Sequence, residues 1–308
     1  MANDCMRQAR RGVFAVLLIA VWGHARALEP SLQPSQYVLD NWQIPEGLPQ
    51  NSAQAIARTP DGYLWVGTQE GLARFDGVRF TVFDSNNEAA IPNKYISVLF
   101  VDRAGRLWIG TRSGIAVLEN GHFKAFSKSA ALSHAPVRAI TEGGAGRLWV
   151  GTENGLVEIS DEGARSFGAS NGLMDGRIRA LHEDHDGVLW VGTGSGLLRF
   201  DGKHFDTVSL GKGSTDVPVT AIHEDTDGTL WMGTGTGALY RGTRDHFEIV
   251  AEPGHLGSAV HVLTRDRDGS LWIGTNGGGL VRWRNGTFFF RRKTRGPTLE
   301  CCWPRKNN

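Results

Sequence analysis

The pentapeptide Leu-Trp-Val-Gly-Thr at residues 64–68 returns five more times, with one position varied, along this 308-residue chain. The copies begin at Leu107, Leu148, Leu189, Leu230 and Leu271, and Val, Ile or Met fills the third place. Their tryptophans, Trp65, Trp108, Trp149, Trp190, Trp231 and Trp272, are spaced by 43 residues once and then by 41 each time. A fixed period near ~40 residues, with several short strand signals per unit, points to a β-propeller of four-stranded antiparallel blades.

The first unit predicts strand a over residues 52–58, b over 63–68, c over 72–76 and d over 78–84. The turns between them are "TPDG", "QEG" and Gly77. No segment beyond the N-terminal leader carries an apolar period of ~3.6 residues, so the chain reads as all-β. Its 41 glycines and 10 tryptophans fit that reading. A tryptophan on strand b fills the space between two face-packed blades and contributes at most about 4–6 kcal/mol. The glycine two places on (Gly67, Gly110, Gly151, Gly192, Gly233, Gly274) suits a bulge or a close backbone approach. Gly71, Gly114, Gly155, Gly196 and Gly237 turn the chain into strand c, and "TNGGGL" in the sixth unit has one extra residue.

The first 27 residues read as a signal peptide. Arg7, Arg10 and Arg11 precede an 11-residue apolar run at 12–22, and Ala25-Arg26-Ala27 supplies a small-x-small cleavage pattern. Such a run is too short to span a bilayer, so cleavage after Ala27 and export to the periplasm are expected. Removing four arginines (Arg26 is the fourth) and Asp4 takes the 33 basic and 32 acidic residues to 29 and 31. That balance leaves no electrostatic footprint for nucleic acid or an anionic membrane. Cys5 lies in the leader and Cys301 and Cys302 in the last eight residues, so the body holds together without disulfides.

The units "DGYLWVGTQEGLARFDG" at 61–77 and "DGTLWMGTGTGALY" at 227–240, with the lead-in from residue 37, closely resemble the two-component regulator propeller repeat. The resemblance runs from residue 37 to about residue 290. It implies the exported sensor portion of bacterial membrane signalling proteins, many of which end in a histidine kinase or a diguanylate cyclase. Neither an output domain nor a membrane span is expected within this chain, so the only membrane contact would run through further segments. The family's propellers typically have seven blades. Strand d occurs six times, and "YVLDNW" from Tyr37 reads as a seventh, while strands a, b and c occur six times. The expected division is leader 1–27, propeller 28–293 and an irregular tail 294–308, with the seventh blade cut short. A six-bladed ring closed differently is the alternative.

Several motifs read as scaffold. "DHDG" at 184, "DTDG" at 225 and "DRDG" at 266 lack the further carboxylates of a calcium loop. They are expected to be a–b hairpin turns, and because "GGAG" stands in the same place at 143 their carboxylates look dispensable to the unit. His182 and His185 lack further ligands, and the glycine runs at 193, 234 and 275 have no helix after them, so no metal, phosphate loop or cofactor is expected.

Binding is better supported than catalysis. Eleven residues before each tryptophan stand Gln54, Ser97, Arg138, Arg179, Thr220 and His261, a varying polar position within an apolar innermost strand. This position is expected to approach the central channel, with Tyr95 and Arg177 near its mouth and Glu70, Arg112, Glu153 and Asn154 on the b–c loops. Arg112, Arg138 and Arg179 could hold an anionic or sugar ligand through forked hydrogen bonds. The partners expected are a small molecule or oligosaccharide and a second copy in a homodimer, with no nucleic acid. A free-standing binding scaffold and a propeller lyase or hydrolase are the competing readings.

Overall fold

The computed structural model describes residues 41–126, 129–211, 215–244, 246–291 and 302–303. Six four-stranded antiparallel blades succeed one another around a common axis as a β-propeller. In blade 1 the strands are a (Ala53–Arg58), b (Leu64–Thr68), c (Leu72–Phe75) and d (Phe80–Phe83). The later a strands are Ile96–Val101, Val137–Glu142, Ile178–Glu183, Val219–Glu224 and Val260–Arg265. Each packs beside the next, which makes strand a the innermost of every blade. The leader and residues 37–40 lie outside the described residues. Of the tail, Cys302–Trp303 form a short strand beside Thr287–Arg291.

Blade follows blade because each b strand offers its neighbour a groove and a filler. The groove is the glycine. A Cβ on Gly67, Gly110, Gly151, Gly192 or Gly233 would come closer than 3.0 Å to Ile96, Val137, Ile178, Val219 or Val260, the first residue of the next a strand. The filler is the tryptophan two residues earlier, on the same face of the strand. Trp65 packs with Ile96, Leu99, Leu107 and Ile109 of blade 2, and Trp231 with Val260, Leu263, Leu271 and Ile273 of blade 6. The glycines are therefore close approaches, and the register shifts expected near them lie in the opposing a strands.

Two flanks lack this packing. Strand a of blade 6 makes no contact with strand a of blade 1 comparable to that between successive blades. A Cβ on Gly274 would meet only Val262 of its own strand pair. Val262 and Leu280 beside it are 52% and 40% exposed, and Ile56 on the far flank of blade 1 is 63% exposed. Part of that far flank is covered by the entering chain. Leu48 is buried with Val66 and Ala73, and the Trp42 ring lies 4.9 Å from that of Phe75.

The a–b turns correct one expectation, because their carboxylates are not dispensable. The indole N–H of Trp108, Trp190, Trp231 and Trp272 donates at 2.8 Å to the first turn aspartate, Asp102, Asp184, Asp225 and Asp266 respectively. In blade 1 Thr59 takes that place at 2.9 Å, with Asp61 behind it. Blade 3, whose turn is "GGAG", borrows from its neighbour: Trp149 donates to Glu183 of blade 4 at 2.7 Å. Gly143 makes the loan possible, since a Cβ there would stand closer than 3.0 Å to that carboxylate. A buried indole N–H needs an acceptor, and the repeat varies how it is supplied.

The last residue of strand a carries a second link, directed backwards. Glu142, Glu183 and Glu224 accept the backbone N–H of Arg103, Gly144 and His185 in the preceding blade's turn, at 2.7, 2.6 and 3.2 Å. Where that turn residue is Pro60, which has no N–H, blade 2 ends its strand in Val101. Blade 6 ends in Arg265, which pairs with Asp225 of blade 5 at 2.6 Å.

Glu183→Ala should cost about 1–3 kcal/mol, the penalty for an orphaned buried donor. Gly143→Ala should cost a similar amount by displacing the same carboxylate. Thermal melts of both singles and the double variant check this, and a double much less stable than either single would show that the two do not act through one contact. Burial would raise the carboxyls of Asp102 and Asp266, but the indole and the turn N–H groups hold both below the ordinary range. Their contribution is present above the unfolded value of about 3.9 and is lost as pH falls through the lower folded values. The melting temperature of an Asp102→Asn/Asp266→Asn variant should accordingly fall less steeply in acid than that of the native protein.

Candidate functional site

The d–a and b–c loops share one end of the propeller, and backbone hydrogen bonds clip them together. Arg112 N–H donates to Tyr95 O, Glu153 to Pro136 O, Gly194 to Arg177 O, Gly235 to Pro218 O and Asn276 to Ala259 O. A buried apolar side chain, among them Ile91, Leu132, Leu173 and Leu256, plugs the d–a loops from below. The threonine of each pentapeptide closes its b–c loop by donating from its hydroxyl to the carbonyl three residues on in blades 1–4 and four on in blades 5 and 6. Blade 5 thus shares the longer loop expected for blade 6 alone. The residue after the threonine is held beside the start of strand a.

Strand a carries the matching position. Register shifts leave Gln54, Ser97, Arg179, Thr220 and His261 as the extra residue of a bulge, and Arg138 is its equivalent in blade 3. A bulge residue leaves the ladder and turns its side chain independently of the alternation on either side, so its type is free to vary. Ser97 and Thr220 use their hydroxyls to join blades: Ser97 donates to Val137 O and Thr220 to Val260 O, both at 2.5 Å. The others are free of that duty.

Four predicted residues converge across blades 2–4. Glu153 accepts two hydrogen bonds from the Arg138 guanidinium, that from Nε at 2.9 Å. Its carboxyl is held below the ordinary carboxylate range, first by those hydrogen bonds and then by the positive charge of Arg138, Arg179 and Arg112. Arg112 lies over the ring of Tyr95, 3.9 Å from its centre, as a cation–π pair. Tyr95 in turn donates from its hydroxyl to Gln54 of blade 1 at 3.3 Å. Arg179 is exposed, with no hydrogen-bonding or ion-pair partner among the described residues. One guanidinium, that of Arg138, therefore binds the carboxylate directly, while the charges of Arg112, beside an aromatic ring, and Arg179 act on it from further off.

The remaining predicted residues are placed elsewhere. Glu70 pairs with Lys94 on the rim between blades 1 and 2. Arg177 is held by Asp175 at 3.0 Å, packed where Gly194 leaves room. His261 is exposed on blade 6. Asn154 points away from its neighbour Glu153 and lines a cleft of about 320 Å³ between the loop entering blade 3 and strands c and d of that blade. Sequence reasoning missed this cleft and its His134 and Ser166, because no repeat or motif marks them. His182 and His185 both bind Glu224, at 2.9 and 2.5 Å, toward the opposite, a–b end of the blades. Among the described residues no group of histidine, cysteine and carboxylate side chains could hold a metal ion, and no helix is long and apolar enough to cross a membrane.

Comparison with known proteins places these features. The family model described as two component regulator propeller matches six times, at residues 47–70, 90–113, 131–154, 172–195, 213–236 and 254–277. Histidine kinase P4 of Formosa agariphila is 36% identical over 77 residues, which are 25% of this chain and 5% of that protein. The extracellular domain of the hybrid two component system BT4673 from B. thetaiotaomicron superposes with a TM-score of 0.64 at 22% identity, covering 83% of this chain and 33% of that one. Virginiamycin B lyase from Staphylococcus aureus shares the fold with a TM-score of 0.61 at 16% identity, over 83% of this chain and 85% of the lyase. The chain spans a third or less of these two signalling proteins. With six matches in register on six blades, the chain belongs to the two component regulator propeller family.

Proposed function

We propose that this chain is the exported, ligand-sensing propeller of a two-component-type receptor, and that its ligand presents an acidic group to Arg112, Arg138 and Arg179. The observation that carries this reading is the Arg138–Glu153 pair on blade 3, flanked on blades 2 and 4 by Arg112 on Tyr95 and by the exposed Arg179, whose charges also act on that carboxylate. Arg177 ends in an ion pair with Asp175. Among the described residues Arg179 and Arg112 do not, and Arg112 rests on the Tyr95 ring. A carboxylate or sulfate on an incoming molecule could accept forked hydrogen bonds there, and a sugar ring could stack on the aromatic edge. The leader read at residues 1–27 supports export, and the two-component relatives support a signalling output.

Glu153 has a defined part in this reading: it occupies Arg138 until a ligand acid displaces it. Calorimetric titration with glucuronate, galacturonate and inorganic sulfate should show binding that weakens with added salt. Arg179→Ala should weaken it about 10-fold to 100-fold, as expected for losing a charge-assisted hydrogen bond worth ~1.5–3 kcal/mol. Unchanged affinity in an Arg112→Ala/Arg179→Ala variant, or no binding of any of the three anions, would sink the assignment. Glu153→Gln should bind the same anions more tightly than the native protein, because the internal competitor is gone.

A further inference from the structure

The cleft of about 320 Å³ between the loop entering blade 3 and strands c and d of that blade is not part of the arginine cluster and is built differently. No charged side chain lines it. The loop contributes the methyl groups of Ala130, Ala131 and Ala135, strand c contributes Val157, and the polar groups lining the cleft include His134, Asn154 and Ser166. The side chains of these three have no hydrogen-bonding partner among the described residues. They come from three different segments: the loop entering blade 3, its b–c loop and its outermost strand.

His134 marks the cleft as more than a gap between loops. Asn93 and Asp175 hold the equivalent place, three residues before strand a, in the loops entering blades 2 and 4. There each side-chain oxygen accepts the N–H two residues on, from Tyr95 at 2.8 Å and from Arg177 at 3.0 Å. That cap steadies the loop. In blade 3 the residue two on is Pro136, which has no N–H to cap, and His134 adopts a left-handed backbone with φ of 71°. The equivalent Gly257 of blade 6 is left-handed too, with φ of 80°, and blade 3 fills that place with an imidazole that lines the cleft.

We infer that this cleft is a second binding site, for a compact neutral polyol. A neutral imidazole donates at one nitrogen and accepts at the other, a carboxamide does both, and so does a hydroxyl. Three such groups close together, with no charge among them, match a molecule that itself donates and accepts at several neighbouring atoms. Hydroxyl-bearing rings have that property, and their C–H faces suit the alanine methyl groups. The volume lies at the lower end of the ~300–1,000 Å³ typical of small-molecule clefts. A charged ligand would find no counter-charge there, which separates this site chemically from the arginines.

Saturation-transfer NMR on the full chain with methyl glucoside, methyl galactoside, xylose and myo-inositol tests the inference. At least one of these should receive transfer, and its affinity should fall tenfold or more in Ala131→Trp, which fills the cleft from an exposed position. His134→Gly should weaken binding similarly while the melting temperature holds or rises, since glycine accepts the left-handed backbone freely. Arg179→Ala should leave polyol binding unchanged, so failure of the anion site and failure of this one are told apart. Absence of transfer to all four compounds, or binding that survives Ala131→Trp, overturns the site.

Discussion

Everything in this propeller depends on how closely one strand may approach another across the gap between blades. The pentapeptide glycine removes the single atom that would hold the next innermost strand away, and a β-branched residue sits in the space so freed. The tryptophan beside it fills the wider part of the gap. Once that indole is buried its N–H requires an acceptor, and the a–b turn becomes part of the core. Fold, turn chemistry and blade spacing follow from this one approach.

The binding end inherits its geometry from the same units. Because the pentapeptide ends in a threonine that closes its own loop, the following residue stands at a repeated place beside strand a. The strand-a bulge supplies another repeated place. The fold thus offers two variable positions per blade around one end, at little cost to packing. Blades 2–4 hold Arg112 with Ser97, Glu153 with Arg138, and Gly194 with Arg179 there, whereas blade 5 has Gly235 and Thr220. The site is therefore lopsided, built by substitution at fixed addresses on a repetitive frame.

Most of the frame was legible in the sequence, since a recurrent tryptophan and glycine at a constant period leave few architectures open. The strand assignments followed from turn residues and short apolar runs. Glu153, Arg138, Arg112 and Arg179 could be named because they vary where the repeat is otherwise constant. What stayed hidden was contact across blades. Nothing local to "GGAG" indicates that Glu183, some 40 residues on, completes it, and reading each unit alone made the turn aspartates look dispensable. Ser97 and Thr220 varied like ligand residues yet bond backbone carbonyls. His134 and Ser166 lie close only because the loop entering blade 3 folds against the outer strands of that blade, and no spacing in the chain encodes that.

The backward links from strand a have a consequence for how such a protein can change over time. Blades 2–6 each end the inner strand with a group suited to the turn before it: a glutamate where an N–H waits, valine behind a proline, arginine against an aspartate. The six units look interchangeable in their pentapeptides but are not. Duplicating or shuffling one would set a carboxylate against a proline or leave an indole without an acceptor. The propeller is a sentence with agreement between its words, and its repeats have become parts with fixed order.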